Sequence, residues 1–168
     1  RVAPTQACTS TRFEPTGTGE SPLAAIGMSV VVFAGAAQLA TVELLGRMGC
    51  RVERSAAGIT VAGTGVLHGI EADMGDCPDV APTLAVVASQ ARGRTVIKNI
   101  AHLRIKECDR LHVMATELAK LGIRTEEGPD YLVIEGGRRQ SEGGAEIETH
   151  NDHRIAMSFA VAGLAVPG

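Results

Sequence analysis

Apolar positions along this chain recur with a helical period, break into short alternating runs, and then do both again. Leu39, Val42, Leu45 and Met48 share one helical face that stops at Gly49, a residue suited to a left-handed cap. Two short strands over 50–54 and 58–62 follow, joined by a turn. Downstream, Leu111, Met114, Leu118 and Leu121 predict a helix over 108–121 ending at Gly122, then a strand over 123–127, the turn Gly128-Pro129-Asp130 and a strand over 131–135. Gly122 lies 73 residues beyond Gly49, and the same offset matches Arg47 with Lys120, Arg51 with Arg124, Glu53 with Glu126 and Gly63 with Gly136. At an offset of 75, Asp79-Val80-Ala81-Pro82-Thr83-Leu84-Ala85-Val86 falls on Arg154-Ile155-Ala156-Met157-Ser158-Phe159-Ala160-Val161. The pattern is an internal repeat of strand, helix, strand, helix, strand, strand.

The middle copy is complete: strand about 69–74, helix 79–91, strand 94–100, helix 108–121, and strands 123–127 and 131–135. The last copy shows a strand at about 145–149 and a helix from Arg154, and then the chain stops at Pro167-Gly168. A repeat cut after its first helix leaves sheet edge and apolar helix surface uncovered, so the pattern predicts a piece of something larger. Residues 1–22 carry Pro4, Pro15 and Pro22 among Thr, Ser and Gly and read as irregular coil. The stretch 23–37 is apolar apart from Ser29. A membrane span needs roughly 20 apolar residues. Reaching that length takes in Gln38 and Thr41, with no Arg or Lys on the near flanks, so a buried helix or helix-strand pair is the favoured reading.

At 168 residues and 17.4 kDa, with 45% hydrophobic and 21% charged residues, the chain fits one globular core. A net charge of -3, three Phe and one Tyr supply neither a cationic field nor a stacking platform, which argues against nucleic acid as a partner. With no Trp, the core is expected to be built from Ala, Val, Leu, Ile and Gly. Cys8, Cys50, Cys77 and Cys108 form no CxxC pair and no dense disulfide framework, which points to a reducing, cytoplasmic setting. No stretch has the pattern of a signal peptide, and Arg1 without a preceding Met places the natural start upstream.

Charged clusters recur at the predicted strand-to-helix junctions: Asp76 and Asp79; then Arg104, Lys106, Glu107, Asp109 and Arg110; then His150, Asp152, His153 and Arg154. Repeats put corresponding junctions at one end of the sheet, so these clusters are expected to converge. Asp109 is placed to cap its helix, leaving free N–H groups beside Lys106 and Arg110, a setting for phosphate or carboxylate. Glu107 in that company either forms ion pairs only or, where bound anions offset the cations, shuttles a proton. Taken alone, Asp79 reads as an N-cap ahead of Pro82; the repeat, in which it holds the position that Arg154 holds in the next copy, gives it weight as a site residue. Cys108 with His112, and His150 with His153, have ligand-like spacing. Zinc needs three or four convergent ligands, and Lys106 and Arg154 repel a cation, so no metal is expected. His68 and His102 read as loop residues, and the five methionines mostly as core filler.

The run Arg104-Ile105-Lys106-Glu107-Cys108-Asp109-Arg110-Leu111, continuing through Met114-Ala115-Thr116-Glu117-Leu118 to Leu121-Gly122, resembles a signature of the 5-enolpyruvylshikimate-3-phosphate synthase family. Asn151-Asp152-His153-Arg154-Ile155-Ala156-Met157 and Cys77-Pro78-Asp79-Val80-Ala81-Pro82-Thr83 are similar to two further segments, in the same order across about 39–166. The resemblance implies an α/β fold of repeated βαβαββ units, an inside-out α/β barrel domain with about two of its three repeats over 39–168, preceded by a poorly matching start over 1–38. It implies transfer of the carboxyvinyl group of phosphoenolpyruvate to the 5-hydroxyl of shikimate 3-phosphate, with release of phosphate, in aromatic amino-acid biosynthesis. No cofactor is implied; glyphosate is the family's inhibitor.

Carried onto this sequence, the family pattern makes Asp79 the base for the attacking hydroxyl and Glu107 the acid, then base, at the enol methylene carbon. Lys106 would touch the ligand phosphate and hydroxyl region, Arg110 and Arg154 the phosphoenolpyruvate anion, with Asp152 and His153 in support. His102 stands where many members have Asn for a shikimate-phosphate contact. The family's Gly-Asn-Ala-Gly-Thr and early Lys-Ser segments are absent from this sequence. Two other readings stand beside this one: a catalytically incomplete domain fragment that only binds anions, and a related transferase acting on a nucleotide sugar; self-association or a complementing domain is the partner expected to cover the open edge.

Overall fold

The computed structural model describes residues 35–56, 58–137 and 145–165. The irregular start expected over 1–22, and the apolar stretch over 23–37 as far as residue 34, lie outside them. Helix α1 (Gly35–Arg47) leads into an antiparallel hairpin of β1 (Arg51–Ser55) and β2 (Gly58–Ala62). The complete unit follows as β3 (Glu71–Asp73), a 3-10 turn at Pro78–Val80, α2 (Ala81–Gln90), β4 (Gly93–Lys98), a 3-10 turn at Ala101–Ile105, α3 (Arg110–Lys120), β5 (Arg124–Glu127) and β6 (Leu132–Gly136). Helix α4 (His153–Ala162) opens the next unit. No described helix is long and apolar enough to cross a membrane.

The four strands of the complete unit form one sheet in the order β3-β4-β6-β5, parallel between β3 and β4 and antiparallel elsewhere. Parallel pairing needs a crossover, which α2 supplies, whereas β5 and β6 are close enough in sequence for a hairpin. Helix α2 is buried on almost every side, through Ala81, Pro82, Leu84, Ala85, Val86, Val87, Ala88 and Ser89. A helix apolar all round belongs inside a core, and α2 lies against β4 and β6 on one side and α3 and α4 on the other.

Equivalent parts of the repeat have equivalent geometry. Gly49 (φ +108°) and Gly122 (φ +77°) both end a helix in the left-handed region, where only glycine is unstrained. At the first, Cys50 N–H donates to Leu45 O and Gly49 N–H to Gly46 O; at the second, Ile123 N–H donates to Leu118 O and Gly122 N–H to Ala119 O. Both are Schellman caps. The register Arg51↔Ala62 in the first hairpin recurs as Arg124↔Glu135 in the second. Helices α2 and α4 lie side by side, with Thr83 Oγ1 3.3 Å from its repeat equivalent, Ser158 Oγ.

Two expectations change. The strand predicted at 145–149 is not one: these residues form no ladder, and their backbone is held by side chains of α3, Lys120 Nζ donating to Glu146 O and Glu117 accepting from Glu148 N–H. A strand exists only where a neighbour pairs with it. In the complete unit that neighbour is the strand after the crossover helix, and no described segment follows α4 in that role. Of the predicted α1 face, Val42, Leu45 and Met48 are buried but Leu39 is exposed.

Gly136 is where β6 passes closest to the end of α2: a Cβ there would sit 2.1 Å from Ala88 O and 2.4 Å from Ala91 O, whereas one at Gly63 would meet nothing within 4 Å. Gly136→Ala is therefore expected to lower stability by about 1–3 kcal/mol or more, and Gly63→Ala to stay within about 0.5 kcal/mol of the parent, as read from urea unfolding midpoints.

Candidate active site

The 3-10 turn at Pro78–Val80 presents Asp79 just ahead of α2. The N-cap role that Asp79 suggests when read alone does not hold: Val80 occupies that position and no side chain caps the helix, because Asp79 is turned toward two arginines. Its Oδ1 accepts from Arg110 Nη1 at 3.1 Å and its Oδ2 from Arg154 Nη2 at 3.1 Å, while Arg154 Nη1 donates to the Asp79 carbonyl at 3.3 Å. Asp79 and Arg154 are the equivalent positions of two successive repeats, so the packing of α2 against α4 sets this ion pair.

Arg110, the first residue of α3, is the centre of the cluster. Its side chain is 1% exposed, and its donors reach three carboxylates: Nε to Asp152 Oδ2 at 2.7 Å, Nη2 to Asp152 Oδ1 at 3.3 Å, Nη2 to Glu107 Oε2 at 2.6 Å, and Nη1 to Asp79. Burial works against the guanidinium charge, but the bond to Asp152 and the surrounding carboxylates more than reverse it, so its pKa is held above the ordinary value. Asp152 is buried and caps α4, its Oδ1 accepting the N–H groups of Arg154 at 2.8 Å and Ile155 at 3.4 Å. Burial alone would push its carboxyl up; the bonds from Arg110 and Arg154 N–H hold it below the ordinary value. Cys108 Sγ donates to Asp152 Oδ2 at 3.5 Å, and burial together with that carboxylate pushes the thiol up to about 11.

The loop that carries Glu107 is fixed from the other side. Asp109 caps α3 as expected, accepting His112 N–H at 3.0 Å, and pairs with Arg104 at 2.8 Å. Arg104 also pairs with Glu127 at 2.8 Å and donates to the carbonyls of Pro129 and Gly128, which clamps the loop to the β5–β6 turn. Asp79 and Glu107 remain about half exposed, at 45% and 47%, above a guanidinium that is not. The arrangement is two accessible carboxylates held apart by one buried cation, with Arg154 at 29% exposure alongside.

Residues 28–168 match the family model described as EPSP synthase (3-phosphoshikimate 1-carboxyvinyltransferase). The chain belongs to this family. It is 49% identical over 125 residues to the 3-phosphoshikimate 1-carboxyvinyltransferase of Syntrophobacter fumaroxidans, covering 74% of this chain and 29% of that protein. With the enzyme of the same name from Methanocella arvoryzae it shares 56% over 110 residues, 66% of this chain and 25% of that one. The chain thus spans under a third of the length of these curated relatives. Its fold is similar to EPSP synthase from Acinetobacter baumannii (TM-score 0.67, 34% identity, 88% of this chain and 39% of that one). It is also similar to the enolpyruvyl transferase NikO from Streptomyces tendae (TM-score 0.63, 27% identity, 88% of this chain and 37% of that one). These likenesses bear out the enolpyruvyl transferase-like α/β fold that the family resemblance implied.

Of the site residues read from this EPSP synthase family pattern, Asp79, Glu107, Arg110, Asp152 and Arg154 come together in one bonded cluster. Lys106 is exposed beside it and makes no ion pair among the described residues. His102 is half-buried in the 3-10 turn and His153 is exposed at the start of α4; neither bonds to the cluster. The pairs with ligand-like spacing are split among separate partners: Cys108 on Asp152, His112 on Glu127, and His150 near Glu117. Sequence reasoning missed Cys108 and the clamp made by Arg104, because their partners lie 44 and 24 residues away.

An Asp held below its unfolded value of about 3.9 adds stability above that pH and loses it as pH falls through the lower native value. Asp152→Asn, which breaks a buried pair, is expected to cost about 3–5 kcal/mol at pH 7. The gap between it and the parent protein should shrink progressively below about pH 4 in urea titrations across pH.

Proposed function

We propose that this chain contributes one wall of a carboxyvinyl-transfer site that takes phosphoenolpyruvate and shikimate 3-phosphate, with the opposite wall supplied by a complementing domain. The observation that carries the reading is the Asp79–Arg110–Glu107 bridge: two half-exposed carboxylates, one from each of two strand-to-helix junctions, held by a single buried guanidinium. Asp79 takes the proton from the attacking hydroxyl as its oxygen bonds to the substituted enol carbon. Glu107 delivers a proton to the methylene carbon, giving a tetrahedral intermediate. Glu107 then removes a proton from the resulting methyl group while phosphate leaves with the proton held by Asp79, which returns Glu107 to its acid form and Asp79 to its carboxylate. An acid and a base on opposite sides of the enol meet the positioning demand of such a reaction.

The substrates are strongly anionic, and the exposed cations meet them. Lys106, exposed and without an ion pair among the described residues, takes a phosphate or hydroxyl oxygen; Arg154, partly exposed at the N-terminal end of α4, takes the phosphoenolpyruvate anion with the helix dipole behind it. Arg110, with its Nε and both Nη atoms already bonded to carboxylates, reaches that anion by exchanging one of them for it. His102 lies within the same loop on the shikimate-phosphate side, and His153 follows the Asp152 cap. The reading carries with it a reducing, cytosolic setting, in keeping with the free thiols of Cys50, Cys77 and Cys108.

Phosphate release from the two substrates, measured on a protein that joins this chain to the remainder of its family's length, tests the assignment. Glu107→Gln and Asp79→Asn are each expected to lower kcat by about 10²–10⁴-fold with little change in KM. Rates within threefold of the parent for both variants would overturn these roles.

A further inference from the structure

Glu117 is a buried carboxylate that the proposed chemistry does not use. It sits seven residues beyond Arg110, on the same face of α3 and 1% exposed, in a helix whose buried residues other than these two are apolar. Its Oε2 accepts Glu148 N–H at 3.1 Å and pairs with Lys120 Nζ at 2.8 Å, and its Oε1 lies 3.8 Å from His150 Nε2. Lys120 in turn donates to Glu146 O at 3.4 Å. These bonds grip the ladderless segment 145–149.

That segment ends in two successive left-handed residues, His150 (φ +50°) and Asn151 (φ +55°), and then in Asp152, whose N–H donates to Thr149 O at 2.9 Å. Non-glycine residues persist in this region only where the surroundings hold them. The downstream end is held by Asp152 on Arg110 and on the first turn of α4; the upstream end is held by Glu117. One helix therefore grips both ends of the turn, from side chains two turns and about 10 Å apart along its axis.

We propose that Glu117 is a positioning residue: it moors the backbone at Glu148 to α3 and so sets Asp152, and through Arg110 the separation of Asp79 and Glu107. The mooring is a property of this chain alone, and its bearing on catalysis rests on the carboxyvinyl-transfer reading.

Cys108, bonded to Asp152, reports the position of that carboxylate without substrate. Alkylation of Cys108 followed by peptide mass spectrometry at pH 8 is expected to be at least about tenfold faster in Glu117→Ala at unchanged far-ultraviolet circular dichroism, because the thiolate fraction rises tenfold for each unit the thiol falls from about 11. Glu117→Gln keeps an oxygen for Glu148 N–H and is expected to stay within about threefold of the parent. Val61→Ala, a core truncation in β2, serves as a loosening control and is expected to stay slow. A folded Glu117→Ala with parental Cys108 reactivity overturns the proposal, as does Glu117→Gln or Val61→Ala matching the rate of Glu117→Ala. Should Glu117→Ala fail to fold, Glu148→Pro removes the moored N–H without touching the helix; faster alkylation supports the mooring and a parental rate overturns it. Parental Cys108 reactivity sinks the mooring alone, whereas undiminished turnover in Glu107→Gln sinks the catalytic reading and leaves the mooring standing.

Discussion

A guanidinium withdrawn from water has to be met by carboxylates, and that requirement at Arg110 organises this end of the molecule. An uncompensated buried charge is among the most destabilising features a fold can carry. Here the compensation comes from three places in the chain: the turn before α2, the loop before α3 and the cap of α4. Satisfying one side chain therefore fixes three junctions at once. The two carboxylates with solvent access, Asp79 and Glu107, are held at a set spacing because the cation between them has nowhere else to go.

Repetition explains why those junctions meet. Successive units pack their first helices side by side, so α2 and α4 start at the same end and like positions touch: Thr83 with Ser158, and Asp79 with Arg154. The equivalent junction position is acidic in one unit and basic in the next, which turns a repeat contact into an ion pair. The asymmetry gives that end its chemistry, while the shared backbone pattern, down to the paired Schellman caps at Gly49 and Gly122, gives the scaffold.

Much of this was legible in the sequence, for local reasons. Helices α1 and α3 announce themselves by apolar spacing, α4 by its match to α2 in the repeat, the two hairpins by short strands about a turn, and the ends of α1 and α3 by glycine. The family signatures bring Asp79, Glu107, Arg110, Asp152 and Arg154 onto one list, and the fold gathers all five. Where reading went astray, a non-local partner had overridden a local preference. Asp79 has the right place and chemistry for an N-cap, but two arginines offer its carboxylate stronger bonds than backbone N–H groups. Residues 145–149 have an extended pattern, but without a neighbouring strand the backbone turns to Glu117 and Lys120 instead. Leu39 keeps the helical period, yet the face it continues has run past the core by that point.

Composition and periodicity by themselves determined the kinds of element, their order, the repeat and the set of charged residues at its junctions, because each depends on neighbours within a turn or two of the chain. Only the tertiary structure decided which acid faces which base. Besides Glu107, three residues away, the partners of Arg110 lie 31 and 42 residues away, and that of Arg154 lies 75 away. No spacing rule reaches that far. Those pairings follow from how α2, α3 and α4 pack on the sheet, and with them come the burial of Arg110, the exposure of Asp79 and Glu107, and the capping of α4 by a side chain that also belongs to the site.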